Sequence, residues 1–412
     1  MRLLFLSTYF PRPLNPQIGT WALEQAVAAQ QLGHDVITVS LTPQFPKLLG
    51  EFHRGIRAYS HSPHQCKLEG IQTYYPRWQC YPLHPMRRLM NAAPRFWLDR
   101  GWRSARELIL EIVDTFSPDA IIANHTLING FVASKIHAAT RTPYVTIDHE
   151  FGDFHQSEIN KSWKRIFGEA AENASAVFSI SNRMKEVSTK IFPDIKFETV
   201  YNGAAFSPCT QEVLQRHSED SKELRIFCCS NFCDRKQIPQ LMRAFYDVWK
   251  ENKNVVLRIA GDGPSLAQIK STADELKCDA IKLLGRLSRA EVDSEMKSAD
   301  VFALVGRDEP FGIVYLEALA NGCPLLLSSD CGAAEIMTDG VHALFADPNN
   351  FRSIVDGLRQ LTSSAQLRQK LANNGHKLFS KSCSWRQTIQ RYLECFQIAP
   401  TRKPATEQFV NA

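Results

Sequence analysis

Nowhere in these 412 residues do eighteen apolar residues run together, so no segment reads as a membrane-crossing helix. No leader is expected either. Met1 leads straight into the strand-like Leu3-Leu4-Phe5-Leu6, without the layout of a signal peptide, so the expected compartment is the cytoplasm. Paired cysteines are not evident. The eleven present are an odd number scattered through apolar stretches and read as reduced, buried thiols. Metal-ligand spacing is equally scarce. Cys228, Cys229 and Cys233 are close, but Cys228-Cys229 falls in a predicted strand, where neighbours face opposite sides. His61, His64 and Cys66 share one loop without a second ligand pair, which disfavours zinc. The Asn-x-Ser/Thr matches at Asn124 and Asn173 mean little without secretion.

What is there fits a globular protein: 44% apolar and 22% charged residues, in a chain long enough for two cores. The net charge of +5 is uneven. Residues 86–106 hold six arginines (87, 88, 95, 100, 103, 106) against one acid, Asp99, interleaved with Met90, Phe96, Trp97 and Trp102. Two readings stand. The segment is a basic, aromatic surface for anionic lipid, or a solvated helix whose arginines pair with acids elsewhere. No nucleic-acid motif accompanies it, so nucleic acid is not an expected partner.

Short apolar runs alternate with helical patterns along the whole chain, which implies parallel βαβ units. In the first half, strands are expected at Leu3 to Ser7, Val36 to Ser40, Ala120 to Ala123, Tyr144 to Ile147, Ala176 to Ser179 and Thr199 to Tyr201. Trp21 to Leu32 reads as a helix stopped at Gly33, and residues 41–85 resist assignment. The second half repeats the pattern from Arg225 to Ser328. The expected division is a first domain over 1–206, a polar linker over 207–224, and a second domain over 225–384. A closing helix over 385–399 packs back toward the first domain, and a disordered tail covers 400–412. Two doubly wound domains of this kind bind ligands at the carboxyl ends of their strands.

The run Glu309-Pro-Phe-Gly-Ile-Val-Tyr-Leu-Glu317 stands at such an end. Pro310 and Gly312 suit the bend before a helix that begins at Ile313 or Val314. The first free amides of that helix suit a phosphate. Glu309 precedes the helix and Glu317 lies just over one turn inside. Each carboxylate can accept from vicinal hydroxyls, an arrangement suited to a sugar nucleotide. Taken alone, two glutamates flanking a core helix would be surface charges.

They are accompanied. Ala260-Gly-Asp-Gly-Pro264, Leu284-Gly-Arg-Leu-Ser288, Ala299-Asp-Val-Phe302, Gly322-Cys-Pro324 and Gly332-Ala-Ala-Glu335 surround them. In that order and spacing the chain resembles the retaining glycosyltransferases of family 4. The resemblance implies an α/β, GT-B architecture: two Rossmann-like domains facing across a cleft. It implies that Glu309 binds donor-sugar hydroxyls, that Glu317 binds the ribose, and that Phe311, Gly312 and Ile313 supply backbone contacts. Lys236 matches the family's diphosphate lysine. A Gly-Arg pair usual in the family is replaced here by Ser230-Asn231, and Arg235 is the candidate substitute cation. Gly261 opens a tight turn shaping the nucleotide end. Leu266 stands where a dinucleotide fingerprint wants glycine or alanine, which disfavours a nicotinamide enzyme.

On the acceptor side, the resemblance places Gly19 near the donor phosphates, with Thr20 where a second glycine is common. His149 matches a family histidine near the donor sugar and the reacting centre. His125 also ends a strand at the cleft, and Asp148 and Glu150 are candidates for acceptor contacts. The expected activity is transfer of a hexose from a UDP- or GDP-sugar to a glycan or lipid-linked acceptor, with retention, in polysaccharide or glycolipid synthesis. No Asp-x-Asp stands at the site, so no metal or other cofactor is expected. The alternative is a non-catalytic sugar-nucleotide-binding protein on the same fold.

Overall fold

The computed structural model describes residues 1–52, 54–79, 87–205, 209–215 and 223–397. The expected tail from 400, half of the expected linker, Met86 and the side chains of Arg87 and Arg88 lie outside the described residues.

Two mainly parallel sheets carry the molecule. In the first, eight strands run in the order Phe197–Thr199, Ala176–Ser179, Tyr144–Asp148, Ala120–Asn124, Arg2–Ser7, Asp35–Val39, Ile71–Tyr74 and Gln65–Leu68. Only the last pair is antiparallel. In the second, six parallel strands run in the order Ile281–Gly285, Val255–Asp262, Leu224–Asn231, Val301–Leu304, Leu325–Ser328 and Leu344–Ala346. Every residue of the central strands is buried, as continuous apolar runs covered by helices on both faces should be.

Each sheet starts near its middle and grows outward in both directions, which creates one switch point per sheet. In the first it lies between Arg2–Ser7 and Ala120–Asn124, and in the second between Leu224–Asn231 and Val301–Leu304. Loops leaving such paired strands diverge and leave a crevice. Tyr9 to Gly19 and His125 occupy one crevice; Ser230 to Lys236 and Gly306 to Glu309 occupy the other.

Most expected elements occur within a residue or two of the expected ends. The run read as Thr199 to Tyr201 pairs instead over Phe197–Thr199. Residues 41–85 contain the short helices Lys47–Phe52 and Arg54–Ser60 and an antiparallel hairpin turning at Glu69-Gly70, both with positive φ. These pieces are too short for a periodic signal. The basic segment lies mostly on helix Pro94–Phe116. Arg95 pairs with Asp99 and Glu169, whereas Arg100, Arg103 and Arg106 are exposed beside the half-exposed Phe96.

The chain passes between the lobes near Ala204 and returns near Ser384. The two passages lie side by side: Ala204 N donates to Cys383 O at 3.0 Å, and Ala204 bridges to Ser384. A Cβ at Gly203 would stand 2.2 Å from Trp385 N, so only glycine permits this approach. The closing helix Trp385–Gln397 then lies against the first lobe. Trp385 Nε1 donates to Glu24 Oε2 at 2.8 Å, and the Tyr392 ring meets Phe178 at 5.2 Å.

Candidate active site

A cavity of about 470 Å³ opens between the lobes. Helix Thr20–Gln31 enters it from the first lobe and helix Ile313–Ala320 from the second, each by its N-terminal end. Both helices start on a left-handed glycine: Gly19 has φ 65° and Gly312 φ 92°. A Cβ on Gly19 would stand 2.2 Å from Tyr9 O, and one on Gly312 2.4 Å from the Tyr315 ring. Neither helix has a side-chain cap. Two sets of unsatisfied amides, with the positive ends of two dipoles, thus face one cavity, a built environment for an anion.

Glu309 projects into the same cavity from the loop after Val301–Leu304. Its Oε2 accepts from Arg235 Nη1 at 2.8 Å and from Lys236 Nζ. Arg235 and Lys236 belong to the 3₁₀ turn Asp234–Lys236, just after Leu224–Asn231. Lys236 is nearly buried, whereas the Arg235 side chain is 42% exposed. Burial alone would push the Glu309 carboxyl up. The charges of Lys236 and Arg235 outweigh that and hold it below the usual carboxylate range. Arg235 therefore stands in the cluster although position 231 is Asn.

Glu317, one turn into its helix, also lines the cavity. Arg289 Nη1 meets Glu317 Oε1 at 3.1 Å, and Nη2 of the same guanidinium meets Glu24 Oε1 at 2.7 Å. Burial pushes the Glu317 carboxyl up to about 7; Arg289 opposes this, while Glu24 and Asp293 add to it. Burial likewise raises Glu24 against Arg289 and Trp385.

The first lobe contributes two histidines at strand ends. His149 Nε2 stands 2.9 Å from Asn124 Oδ1. The Asn124 amide nitrogen donates to Gln25, so this assignment puts the His149 proton on Nε2. Burial first, then His125, push His149 well below the ordinary imidazole range, so it is neutral at pH 7. Trp21 packs on its ring at 4.1 Å, and His125 completes the group edge-on at 5.5 Å. His125 itself adopts φ 74°, costly for a side-chain-bearing residue and a mark of a site held by its surroundings.

Asp148 does not face an acceptor. It is fully buried, and its two oxygens accept from Thr126 N at 2.9 Å and Thr126 Oγ1 at 2.8 Å. The alternation that takes His149 to the cleft takes Asp148 inward. Burial, then the charge of Asp153, raise its carboxyl. Among the described residues, His125, Asp148 and Asp153 form the group of metal-ligand type, with ligand atoms within 4.8 Å of one another. Both Asp148 oxygens are already engaged, and His125 Nδ1 stands 3.9 Å from Asp153 Oδ2, wider than neighbouring ligands on a small ion, about 3 Å apart. His61, expected in a weak metal loop, meets Glu51 at 3.1 Å instead.

Glu150 does reach open space. It lines a second interlobe cavity of about 340 Å³ with Phe151, His155, Arg183, Arg235 and Asp308. Arg183 bonds Asp308 and Asp330 O across the lobes. Gly261 is not at the cavity wall. A Cβ there would stand 2.1 Å from Ser230 O, so it serves close strand packing at the end of Val255–Asp262 rather than an open turn. Phe311 is buried, and its carbonyl accepts from Ala333 N at 3.0 Å.

Glu24, Asp153, Arg183, Arg289 and Glu335 carry site or interlobe geometry that sequence reading did not assign. Glu335 ends the Gly332-Ala-Ala-Glu335 motif, and its carboxylate accepts from Asn182 N at 2.7 Å and Arg183 N at 2.9 Å on the other lobe. Arg289 directly follows Leu284-Gly-Arg-Leu-Ser288. Glu24 and Arg183 sit on ordinary-looking helices and gave no signal.

Two family models match in succession: Glycosyltransferase Family 4 over residues 18–205 and Glycosyl transferases group 1 over residues 210–378. A relative, an uncharacterized glycosyltransferase of Methanocaldococcus jannaschii, is 27% identical over 297 residues, 68% of this chain and 75% of its own length. The poly(glycerol-phosphate) alpha-glucosyltransferase of Bacillus subtilis is 25% identical over 260 residues, 57% of this chain and 38% of that protein. The fold is similar to sucrose-phosphate synthase from Thermosynechococcus elongatus, with a TM-score of 0.72 at 15% identity over 96% of this chain and 98% of that one. Anabaena HepE, solved in complex with UDP and glucose, superposes with a TM-score of 0.68 at 18% identity over 97% of this chain and 100% of that one. The chain belongs to the group 1, family 4 glycosyltransferases of GT-B fold, which transfer a sugar from a nucleotide sugar.

Proposed function

We propose that this protein transfers a hexose from a UDP- or GDP-sugar, with retention, to a glycan or lipid-linked acceptor. The observation that carries the donor site is the convergence on one cavity of two glycine-started helix ends, Lys236, Glu309 and Glu317, with Arg235 bonded to Glu309 at its edge. The diphosphate lies between the two helix starts, where Lys236 and Arg235 can move from Glu309 toward its oxygens. Glu309 then accepts from the hexose hydroxyls and Glu317 from the ribose diol. Gly312 and Ile313 offer their amides, and Gly19 lets the first lobe approach.

The chemistry is same-face substitution through an oxocarbenium-like state. Lys236, Arg235 and the helix amides stabilise the departing diphosphate, as preorganised donors aimed at developing charge. Neutral His149 stands at the sugar end. With this charge handled by side chains and amides, the reaction is proposed to run without a divalent ion and to survive chelation. The acceptor enters by the cavity lined by Glu150, with His125 beside it. UDP is bound by HepE, and UDP-glucose in another crystal of that protein, which supports a uridine donor here without deciding the base.

No helix among the described residues is long and apolar enough to cross a membrane. A lipid-linked acceptor would be met at the surface, with exposed Arg100, Arg103 and Arg106 against anionic headgroups on the cytoplasmic face. The test of the donor reading is a thermal-shift screen with UDP, GDP, ADP and their sugars, since a ligand bound only to the native state raises Tm. A nucleotide-sugar panel with turnover follows. No shift and no turnover with any nucleotide would overturn the reading.

A further inference from the structure

Arg289 is the first residue of helix Arg289–Ser298, which opens on a Ser288–Glu291 capping box. The cap fixes the helix start and hence where the Arg289 side chain departs. Its guanidinium reaches in two directions at once, to Glu317 in its own lobe and to Glu24 in the other. The far oxygen of Glu24 is taken by Trp385, on the helix that follows the return passage between the lobes. A continuous polar chain therefore runs Glu317, Arg289, Glu24, Trp385. It starts in the donor cavity and ends at the interlobe crossing. Arg289 and Glu24 also line a separate cavity of about 700 Å³ beside that crossing.

We propose that Arg289 is the positioning residue of the ribose grip: shared between Glu24 and Glu317, it keeps Glu317 an acceptor for the ribose diol and ties that ability to how the lobes meet. The inference rests on the reading of Glu317 as the ribose residue. An ionised carboxylate accepts from both hydroxyls in the stronger, charge-assisted way; a protonated one offers a donor of its own, loses an acceptor site and accepts more weakly. Each carboxylate oxygen has two acceptor positions, so Glu317 Oε1 can keep Arg289 and receive a hydroxyl as well.

The surroundings of Glu317 explain why the arginine is needed. Asp293 lies on the Arg289 helix, Glu24 faces from the first lobe, and Cys229 faces from strand Leu224–Asn231. Among the described residues, the charges of Glu24 and Asp293 raise the Glu317 carboxyl and that of Arg289 lowers it. Its carboxyl already sits near neutrality, at about 7, with Arg289 in place. Were the lobes to part, Arg289 would have to give up either Glu24 or Glu317. Retaining Glu24 would leave Glu317 exposed to protonation, and retaining Glu317 would release the lobe contact. Ribose recognition and lobe contact thus draw on one guanidinium.

The test measures the affinity of UDP, GDP and ADP, and of their 2′,3′-dideoxy forms, by calorimetry across pH. The readout is the ratio of dideoxy to ribo Kd, which isolates the diol from the diphosphate. For the wild type the ratio is expected to be about tenfold or more where Glu317 is ionised, since hydrogen bonds to a charged group are the stronger kind. It falls toward one on acidification, with its midpoint near the Glu317 value of about 7.

Arg289→Gln removes the positive charge that favours ionised Glu317 and is expected to move that midpoint up, lowering the ratio at neutral pH several-fold. Glu24→Gln removes a negative neighbour and is expected to move it down. Opposite displacements by two conservative changes on one guanidinium distinguish positioning from mere loss of packing, which would move neither midpoint. Midpoints that stay put, or move together, overturn the inference and leave the donor reading standing. A ratio of one at every pH overturns the inference together with the ribose role of Glu317. Failure of every nucleotide to bind overturns the donor reading itself, and this inference with it.

Discussion

Lys236 donates to the same Glu309 oxygen that Arg235 reaches at 2.8 Å. One buried carboxylate oxygen thus holds two cations from one turn, aimed where the proposed diphosphate lies. Lys236→Met is expected to lower kcat on the order of a hundredfold or more, the scale of losing a preorganised donor to a developing charge. It should also cost about 3 kcal/mol of stability, the low end for breaking a buried pair, because Arg235 remains on Glu309. Adding Glu309→Gln should restore part of that stability and none of the activity. Urea unfolding of both single variants and the double variant, with steady-state rates, checks both halves.

Gly312→Ala places a methyl 2.4 Å from the Tyr315 ring on a backbone with φ 92°. Left-handed backbone alone costs a non-glycine residue about 1–2 kcal/mol, and the ring contact adds to it. Tyr315 is buried and donates to Leu304 O at 2.9 Å, so it cannot swing away freely. We expect a lower Tm and a weaker nucleotide-induced shift. An unchanged Tm would show that the helix start relaxes without strain.

Asp148 gives a pH prediction with a definite sign. Burial and Asp153 raise its folded-state pKa, so its contribution to stability is fully present below the unfolded value and is lost as pH rises through the folded one. Asp148→Asn keeps an oxygen for Thr126 N and removes the charge. Its Tm relative to wild type should therefore improve on going from about pH 5 to about pH 8, by about 1.4 kcal/mol in stability for each pH unit of that window lying below the folded pKa. A constant difference across pH would contradict this.

Glu335→Ala removes a carboxylate from the first amides of helix Asn182–Ile191 in the opposite lobe. The Ser181 hydroxyl still accepts from Met184 N, so the helix keeps its own cap. The expected loss is about 1 kcal/mol, typical of a helix cap. Because this carboxylate spans the lobes, the radius of gyration in solution scattering should rise in the variant without ligand. No change in scattering would mean that Arg183 with Asp308 and Asp330 suffices to hold that edge.

The alternation of apolar runs and helices made the two sheets and their order of elements legible, because a buried parallel strand announces itself by composition. That Glu309, Gly312, Glu317 and Lys236 meet at one cavity was legible for a related reason: they lie at fixed distances from strand ends. Asp148 misled because adjacency to His149 looked like shared exposure, whereas strand alternation separates them. Gly261 misled because a glycine beside a cleft can serve the neighbouring strand instead of the ligand. Arg289, Glu24 and Glu335 were silent since their meaning comes from partners 28, 265 and 153 positions away, and no local spacing encodes that.

The side-by-side passages at Ala204 and Ser384 give the chain a nested architecture. The helix Trp385–Gln397 packs on the first lobe, so the second lobe is an insert between two points of the first that already touch. Ala204 N and Cys383 O are 3.0 Å apart. A short turn joining the two ends would therefore close the first lobe on itself, complete with its final helix. The second lobe, the proposed donor lobe, can be lifted out as a module and exchanged for a related one, with no long linker to span the ends.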